Sequence, residues 1–249
     1  MSTNQKTKNI LIILLALIMS ACTKEKIETV VPDIVKDHEG NEYKIKEYGT
    51  QIWMVENMKA KTTKNGQQIL KYPANGQFSY DEPMAYYIRN DKNLSTNGRG
   101  YLYNFAAAQE ICPDGWRLPS TEDFNTLKNY IEQEYTSEYN DDIITVAKAM
   151  ADKYNWQSCD TLVGAPGYHC ATNNTSQFSM KPVGGYYTVM GTEEDPDFYN
   201  YGWKAQLWTS TPYNNEVSYY LELKSYSNTA DFNTLTIFQA IPVRCVKDK

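Results

Sequence analysis

Cys112-Pro113-Asp114-Gly115-Trp116-Arg117-Leu118-Pro119-Ser120-Thr121-Glu122-Asp123-Phe124 is the stretch that decides most about the fold. Pro113 and Pro119 bracket the entry to a helix, Ser120 is a strong N-cap residue, and Asp123 stands three residues on, where its carboxylate can reach back to the cap. Phe124, Leu127, Tyr130 and Ile131 then make a single apolar stripe at helical spacing. The pattern predicts a capped amphipathic helix, with Trp116 before it large enough to anchor a core between helix and sheet.

Working upstream, residues 33–57 alternate through Tyr43, Ile45, Tyr48, Ile52 and Met54, with turn signals at Glu39-Gly40-Asn41 and Gly49-Thr50. A hairpin or meander follows, with Trp53 as a second core anchor. Residues 59–100 turn to Gly, Asn, Lys, Pro and Tyr and read as long loops, with short strands near Ile69-Leu70 and 85–88. Ala106, Ala107 and Ala108 suit a short helix over 103–110. A second helical pattern runs through Ile143, Ile144, Ala147 and Met150, and strands are predicted at 184–190, 206–210, 217–223 and 235–245. Helices in mid-chain between β-rich flanks predict one α+β domain over 33–249.

The chain has 249 residues, 24 Lys+Arg against 30 Asp+Glu, and 41% hydrophobic residues, within the globular range. Lys6 and Lys8 precede the apolar run 10–19, which ends in Ser20-Ala21-Cys22. That run is shorter than the roughly 20 residues a spanning helix needs, so it predicts a signal peptide over 1–21. Cys22 after two small residues resembles the lipobox of bacterial lipoproteins, which implies lipidation at Cys22, a tether over 22–32 and stable membrane anchoring. The expected location is the bacterial cell envelope, as an outer membrane lipoprotein, with either orientation open. Without its leader the chain keeps 22 basic and 30 acidic residues, a balance that argues against nucleic acid as a partner.

Four cysteines remain in this exported chain, Cys112, Cys159, Cys170 and Cys245, and disulfides are the default there. Of three possible pairings, spacing favours Cys159 with Cys170 as a local staple and Cys112 with Cys245 as a long-range one. Zinc is disfavoured by the lack of any Cys-x-x-Cys pair.

Five separated phrases carry a family resemblance: Asp37-His38-Glu39-Gly40-Asn41-Glu42-Tyr43, Gly49-Thr50-Gln51-Ile52-Trp53-Met54-Val55-Glu56-Asn57, Tyr101-Leu102-Tyr103-Asn104-Phe105-Ala106-Ala107-Ala108, Cys112 through Ser120, and Val243-Arg244-Cys245-Val246. In this order they resemble the Fibrobacter succinogenes major paralogous domain, over nearly all of 33–249. The resemblance implies a C-type-lectin-like fold of short antiparallel sheets, two main helices and long loops, whose terminal strands close on each other. It supports the Cys112–Cys245 pairing and not the shorter one. That fold serves binding and catalysis alike, so it does not decide function.

Catalysis finds little support in the residues. The two histidines, His38 and His169, fit no nucleophile–base set, and no phosphate loop, metalloprotease helix or EF-hand loop is present. No enzymatic activity, cofactor or metal site is expected. The best binding candidate is 191–203, which carries Glu194, Asp195, Asp197, Tyr199, Tyr201 and Trp203. Acids hydrogen-bond sugar hydroxyls or hold Ca2+, while Tyr and Trp stack on apolar sugar faces. The Glu-Pro-Asn, Gln-Pro-Asp and Trp-Asn-Asp motifs of calcium-dependent lectins are missing, so a lectin-type Ca2+ site is not carried over to this chain. A second candidate surface contains Tyr80, Asp81, Glu82, Tyr86 and Tyr87. The expectation is a lipid-anchored envelope module recognising a polysaccharide or protein. The alternative is a structural or assembly component of a surface filament or envelope complex.

Overall fold

A computed structural model describes residues 34–71, 82–86, 99–139, 141–187 and 200–247. The chain divides into two units, Met1–Pro32 and Asp33–Lys249, and every described residue lies in the second. Strands β1 (Ile34–Lys36), β2 (Glu42–Tyr48) and β3 (Gln51–Met54) form the expected antiparallel meander. At the first turn the Asp37 carboxylate accepts the amides of Glu39 and Asn41 at 3.0 and 2.9 Å, and Gly40 takes a φ of 81° that a side chain would resist.

After short strands β4 (Leu70–Lys71), β5 (Met84–Tyr86) and β6 (Leu102–Tyr103), helix α1 (Phe105–Glu110) is capped by Asn104, whose side chain accepts the Ala107 amide. Strand β7 (Trp116–Arg117) leads into helix α2 (Thr121–Tyr135), and the capping box is complete. Asp123 also receives both arms of the Arg117 guanidinium, at 2.6 and 2.8 Å. Burial alone would raise the Asp123 carboxyl; the bonds from Arg117 and Ser120 override it and hold the group down at about 2. Phe124, Leu127 and Ile131 are buried on one face, each contributing about 1.5–3 kcal/mol. Trp53 is fully buried beneath them, its ring 4.9 Å from that of Phe124 and 5.7 Å from that of Phe178. Trp116 is only half-buried, on the rim of the second core.

The C-terminal part supplies strands β10 (Lys204–Pro212), β11 (Val217–Lys224) and β12 (Ala230–Thr236), an antiparallel sheet in that order. Its two faces divide the core. Ala205, Leu207, Leu221, Leu223 and Ala230 pack with Phe124, Leu127 and Ile131, while Trp208 and Tyr220 pack with Tyr103, Ile241 and the Cys112–Cys245 disulfide. Strand β13 (Val246–Lys247) lies between β3 and β7, so that Val246 opposes both Trp53 and Arg117. The chain end is thereby hydrogen-bonded into the first sheet and covalently tied 133 residues back. The architecture is mixed α+β, with several antiparallel sheets and few helices. A disulfide of this kind belongs to chains that fold outside the reducing cytoplasm.

Three expectations need correction. Ile143 and Ile144 belong to strand β9 (Asp142–Ile144), which pairs with β8 (Ser137–Tyr139); Thr145 then caps helix α3 (Val146–Met150), which has only 5 residues. Among the described residues α2 is therefore the one long helix rather than one of two. Within 235–245 only Leu235 and Thr236 are in a strand, because Pro242 and isolated bridges at Ala240 and Ile241 break the ladder, whereas β12 begins earlier, at Ala230. Cys159 and Cys170 are free thiols. Cys170 packs against the core from a short turn, while the Cys159 sulfur lies 3.7 Å from Thr161 Oγ1, so the two face different surroundings. That loop is fastened by charge instead. Lys148 and Asp142, both buried, pair at 3.0 Å, and the Lys148 ammonium also donates to the Tyr168 carbonyl.

Candidate functional site

Strand β10 begins directly after Trp203, and its alternation sets which side chains share a face of the sheet. The register pairs Lys204 with Lys224, Gln206 with Glu222, Glu222 with Asp231 and Tyr220 with Asn233, which puts their side chains on one face of the sheet. Glu222 is 2% exposed and gathers five donors there. Lys204 and Lys224 ammonium groups stand at 2.9 and 3.2 Å. Gln206 Nε2, the Tyr220 hydroxyl and Asn233 Nδ2 stand at 3.4, 3.2 and 3.2 Å. The Tyr187 phenol donates to Gln206 Oε1 at 2.5 Å. Burial pushes the Tyr187 phenol up to about 12, with the Gln206 bond opposing and the Glu222 charge adding to the rise. Burial and Glu222 raise the Tyr220 phenol as well. Both phenols are thus neutral hydrogen-bond donors at physiological pH, unsuited to act as nucleophiles.

At the same end of the sheet two aromatic rings face solvent. Trp203 is 44% and Tyr226 48% exposed, with ring centroids 6.2 Å apart and planes tilted by 60°. Backbone bonds fix their positions: the Trp203 carbonyl accepts the Ser225 amide at 2.8 Å and the Trp203 amide donates to Asn200 O at 2.9 Å. The pair leaves close to half of each side chain in water, a large aromatic platform for a folded domain to expose. Its charged rim consists of the half-buried Lys204 and Lys224.

The predicted ligand residues separate into groups. Trp203 is on the platform. Tyr201 is half-buried and accepts a hydrogen bond from Arg99 Nη2 at 2.8 Å, with the guanidinium 4.9 Å from its ring centre. Glu194, Asp195, Asp197 and Tyr199 lie outside the described residues, as does Cys22. On the second predicted surface Tyr80, Asp81 and Tyr87 are also outside, while the Glu82 carbonyl accepts from Asn104 Nδ2 at 2.9 Å. Sequence reasoning missed Tyr226 and the Glu222 cluster. Tyr226 had one available signal: an aromatic residue in the otherwise polar stretch Lys224-Ser225-Tyr226-Ser227-Asn228. Glu222 had none, because its partners come from three strands. Among the described residues no group of three or more His, Cys, Asp or Glu could hold a metal ion, and no helix is long and apolar enough to cross a membrane.

These features define a mixed α+β domain with an aromatic platform beside a carboxylate–amide sheet face. The chain matches the Fibrobacter succinogenes major domain over residues 47–247 and belongs to that family. No curated protein and no solved structure matches it.

Proposed function

We propose that the protein is a lipid-anchored binding module of the bacterial cell envelope, on the outer membrane, built on a C-type-lectin-like fold and recognising a polysaccharide through the Trp203–Tyr226 platform. The observation that carries this reading is the exposed Trp203–Tyr226 pair, with ring centroids 6.2 Å apart, at the end of the sheet where the half-buried Lys204 and Lys224 stand. Exposed aromatic rings stack on the C–H faces of sugars. The anchor rests on the leader and Cys22, and the extracytoplasmic setting is supported by the Cys112–Cys245 disulfide. The lectin-like part of the reading rests on the family resemblance and on the strand pairing that joins chain end to chain start. No catalysis is assigned to it. A glycan array probed with the full-length protein tests the reading: it expects a defined set of glycans retained by wild type and lost from Trp203→Ala and Tyr226→Ala. An array without a hit counts against it.

A second reading, an assembly component of an envelope complex, draws on one observation. Among the described residues β12 pairs only with β11, which leaves an outer strand edge that could accept a strand from another protein. Affinity capture from intact envelopes that yields a stoichiometric protein partner, together with a blank glycan array, would favour it.

A further inference from the structure

A groove of about 690 Å³ runs between the β1–β2–β3 sheet and the irregular segment around 177–181, away from the aromatic platform. Ile34 and Val55, on the same face of the sheet as Lys44, give it an aliphatic wall, and Lys44, Lys46, Lys181, Glu56, Asp152 and Gln177 supply its polar groups. Its volume falls within the roughly 300–1,000 Å³ typical of small-ligand sites. Both acids are already engaged by their neighbours. Asp152 binds Lys181 at 2.7 Å and the Tyr154 amide at 3.0 Å, and Glu56 accepts the Lys44 amide at 2.7 Å. Lys44 and Lys46, in contrast, have no carboxylate partner among the described residues. Lys46 donates to the Ser176 carbonyl at 2.9 Å and stands 5.5 and 5.2 Å from the ring centres of Tyr48 and Tyr135.

Behind the wall lies a further cation. Arg244 is fully buried and bonds only neutral oxygens: Asn57 Oδ1 at 2.8 Å, Ser179 O at 2.7 Å and Phe178 O. Those carbonyls belong to a segment in which Gln177 and Ser179 hold φ values of 65° and 55°. Left-handed backbone at non-glycine residues costs of order 1 kcal/mol or more each and persists where the surroundings impose it, often at ligand-binding sites. Arg244 holds the Phe178 and Ser179 carbonyls while Asn174 Oδ1 accepts the Ser179 amide at 2.9 Å, and the segment they hold leaves the Gln177 side chain exposed on the groove wall. Three lysines therefore line the groove against two acids, with Arg244 buried behind it, in a chain whose formal charge is -6. The local field selects anions although the whole molecule repels them.

We infer that this groove binds an acidic saccharide, with the ligand's carboxylate on Lys44 and Lys46, its hydroxyls on the Gln177 amide and its C–H face on Ile34 and Val55, which share the lysine face of the sheet. A saccharide fits better than a lipid headgroup because the wall joins short aliphatic side chains to an amide and presents no long apolar channel. The site is separate from the Trp203–Tyr226 platform, and the inference does not depend on that platform binding anything.

The test is calorimetric titration of the full-length protein with trigalacturonic acid, a neutral galactose trisaccharide and sn-glycerol 3-phosphate. Trigalacturonic acid binds, the neutral trisaccharide does not, and affinity falls as salt rises. Lys44→Glu weakens binding about fivefold or more, the scale of one lost and reversed charge contact, and Gln177→Ala weakens it without altering the salt dependence. Lys44 is exposed, so its variant keeps the wild-type unfolding curve. Trp203→Ala leaves the titration unchanged, which separates failure of the groove from failure of the platform. Absence of heat with trigalacturonic acid at millimolar concentration, equal binding of the neutral sugar, binding of the phosphate ester alone, or indifference to Lys44→Glu would each overturn the inference.

Discussion

Replacing Asp123 by Asn removes a charge from the start of α2 while keeping the shape of the side chain. The carboxylate is 6% exposed and takes two bonds from Arg117, at 2.6 and 2.8 Å, and two from Ser120, at 2.8 Å from the amide and 2.7 Å from the hydroxyl. Its folded pKa is held at about 2 against an ordinary value of 3.8. At about 1.4 kcal/mol per pK unit that gap corresponds to roughly 2.5 kcal/mol. Arg117 is 38% exposed, and solvent screening reduces the expected figure to about 1–2 kcal/mol. The folded pKa is depressed, so this stabilisation is complete above about pH 4 and disappears as pH falls toward about 2. Urea unfolding of wild type and Asp123→Asn at a series of pH values measures it. The wild-type advantage should shrink by about 1–2 kcal/mol between pH 6 and pH 2. A difference that stays constant across that range would show that the charge contributes nothing and that the cap acts by shape alone.

Other perturbations probe other parts of the account. Removing the Cys112–Cys245 bridge by double alanine substitution reopens a loop of 133 residues, worth about 5 kcal/mol by the chain-entropy argument; a loss below about 1 kcal/mol in denaturant titration would contradict it. Alkylation in denaturant without reductant should label Cys159 and Cys170, with Cys112 and Cys245 reacting only after reduction; mass spectrometry finding Cys159 joined to Cys170 would refute the free-thiol assignment. Asp142→Ala strands the buried Lys148 ammonium and should cost about 3–5 kcal/mol, with Lys148→Met on that background recovering part of the loss; equal stability of single and double variants would count against the pair. Gly100→Ala places a methyl group 2.4 Å from the Met58 carbonyl at a φ of +73° and should destabilise by more than about 1 kcal/mol, read from the thermal midpoint.

What was legible in the sequence was local or carried by family phrases. The Ser120–Asp123 box and the Phe124-Leu127-Ile131 stripe specify α2 within a few turns of chain, and alternation with turn glycines specifies β2 and β3. The long disulfide was reachable because both cysteines sit in recurring phrases. Elsewhere tertiary pairing overrode local pattern. Ile143 and Ile144 fit a helical period, yet β-branched residues next to β8 pair as a strand, and Thr145 starts the helix later. β12 was missed because an edge strand with Asp231, Asn233 and Thr234 shows little hydrophobic alternation. At the candidate site Trp203 was visible as an aromatic residue among acids. Its partner Tyr226 and the Glu222 cluster exist only through strand register, which spacing along the chain does not reveal. The groove lysines were equally silent, since Lys44 and Lys181 meet only after folding.

The central claim is that an exposed aromatic platform on a family domain of the envelope binds glycan. Of the five tryptophans, Trp53, Trp156 and Trp208 are buried and Trp116 is half-buried, so Trp203 is the one whose fluorescence a surface ligand can quench directly. Titration of the best array glycan into wild type and Trp203→Phe, followed by tryptophan emission and by calorimetry, is therefore the most direct measurement. Saturable emission change in wild type, absent from Trp203→Phe, with the calorimetric affinity reduced in Tyr226→Ala, is the predicted result; glycan binding that leaves Trp203 emission untouched, or no binding by wild type, would contradict the account.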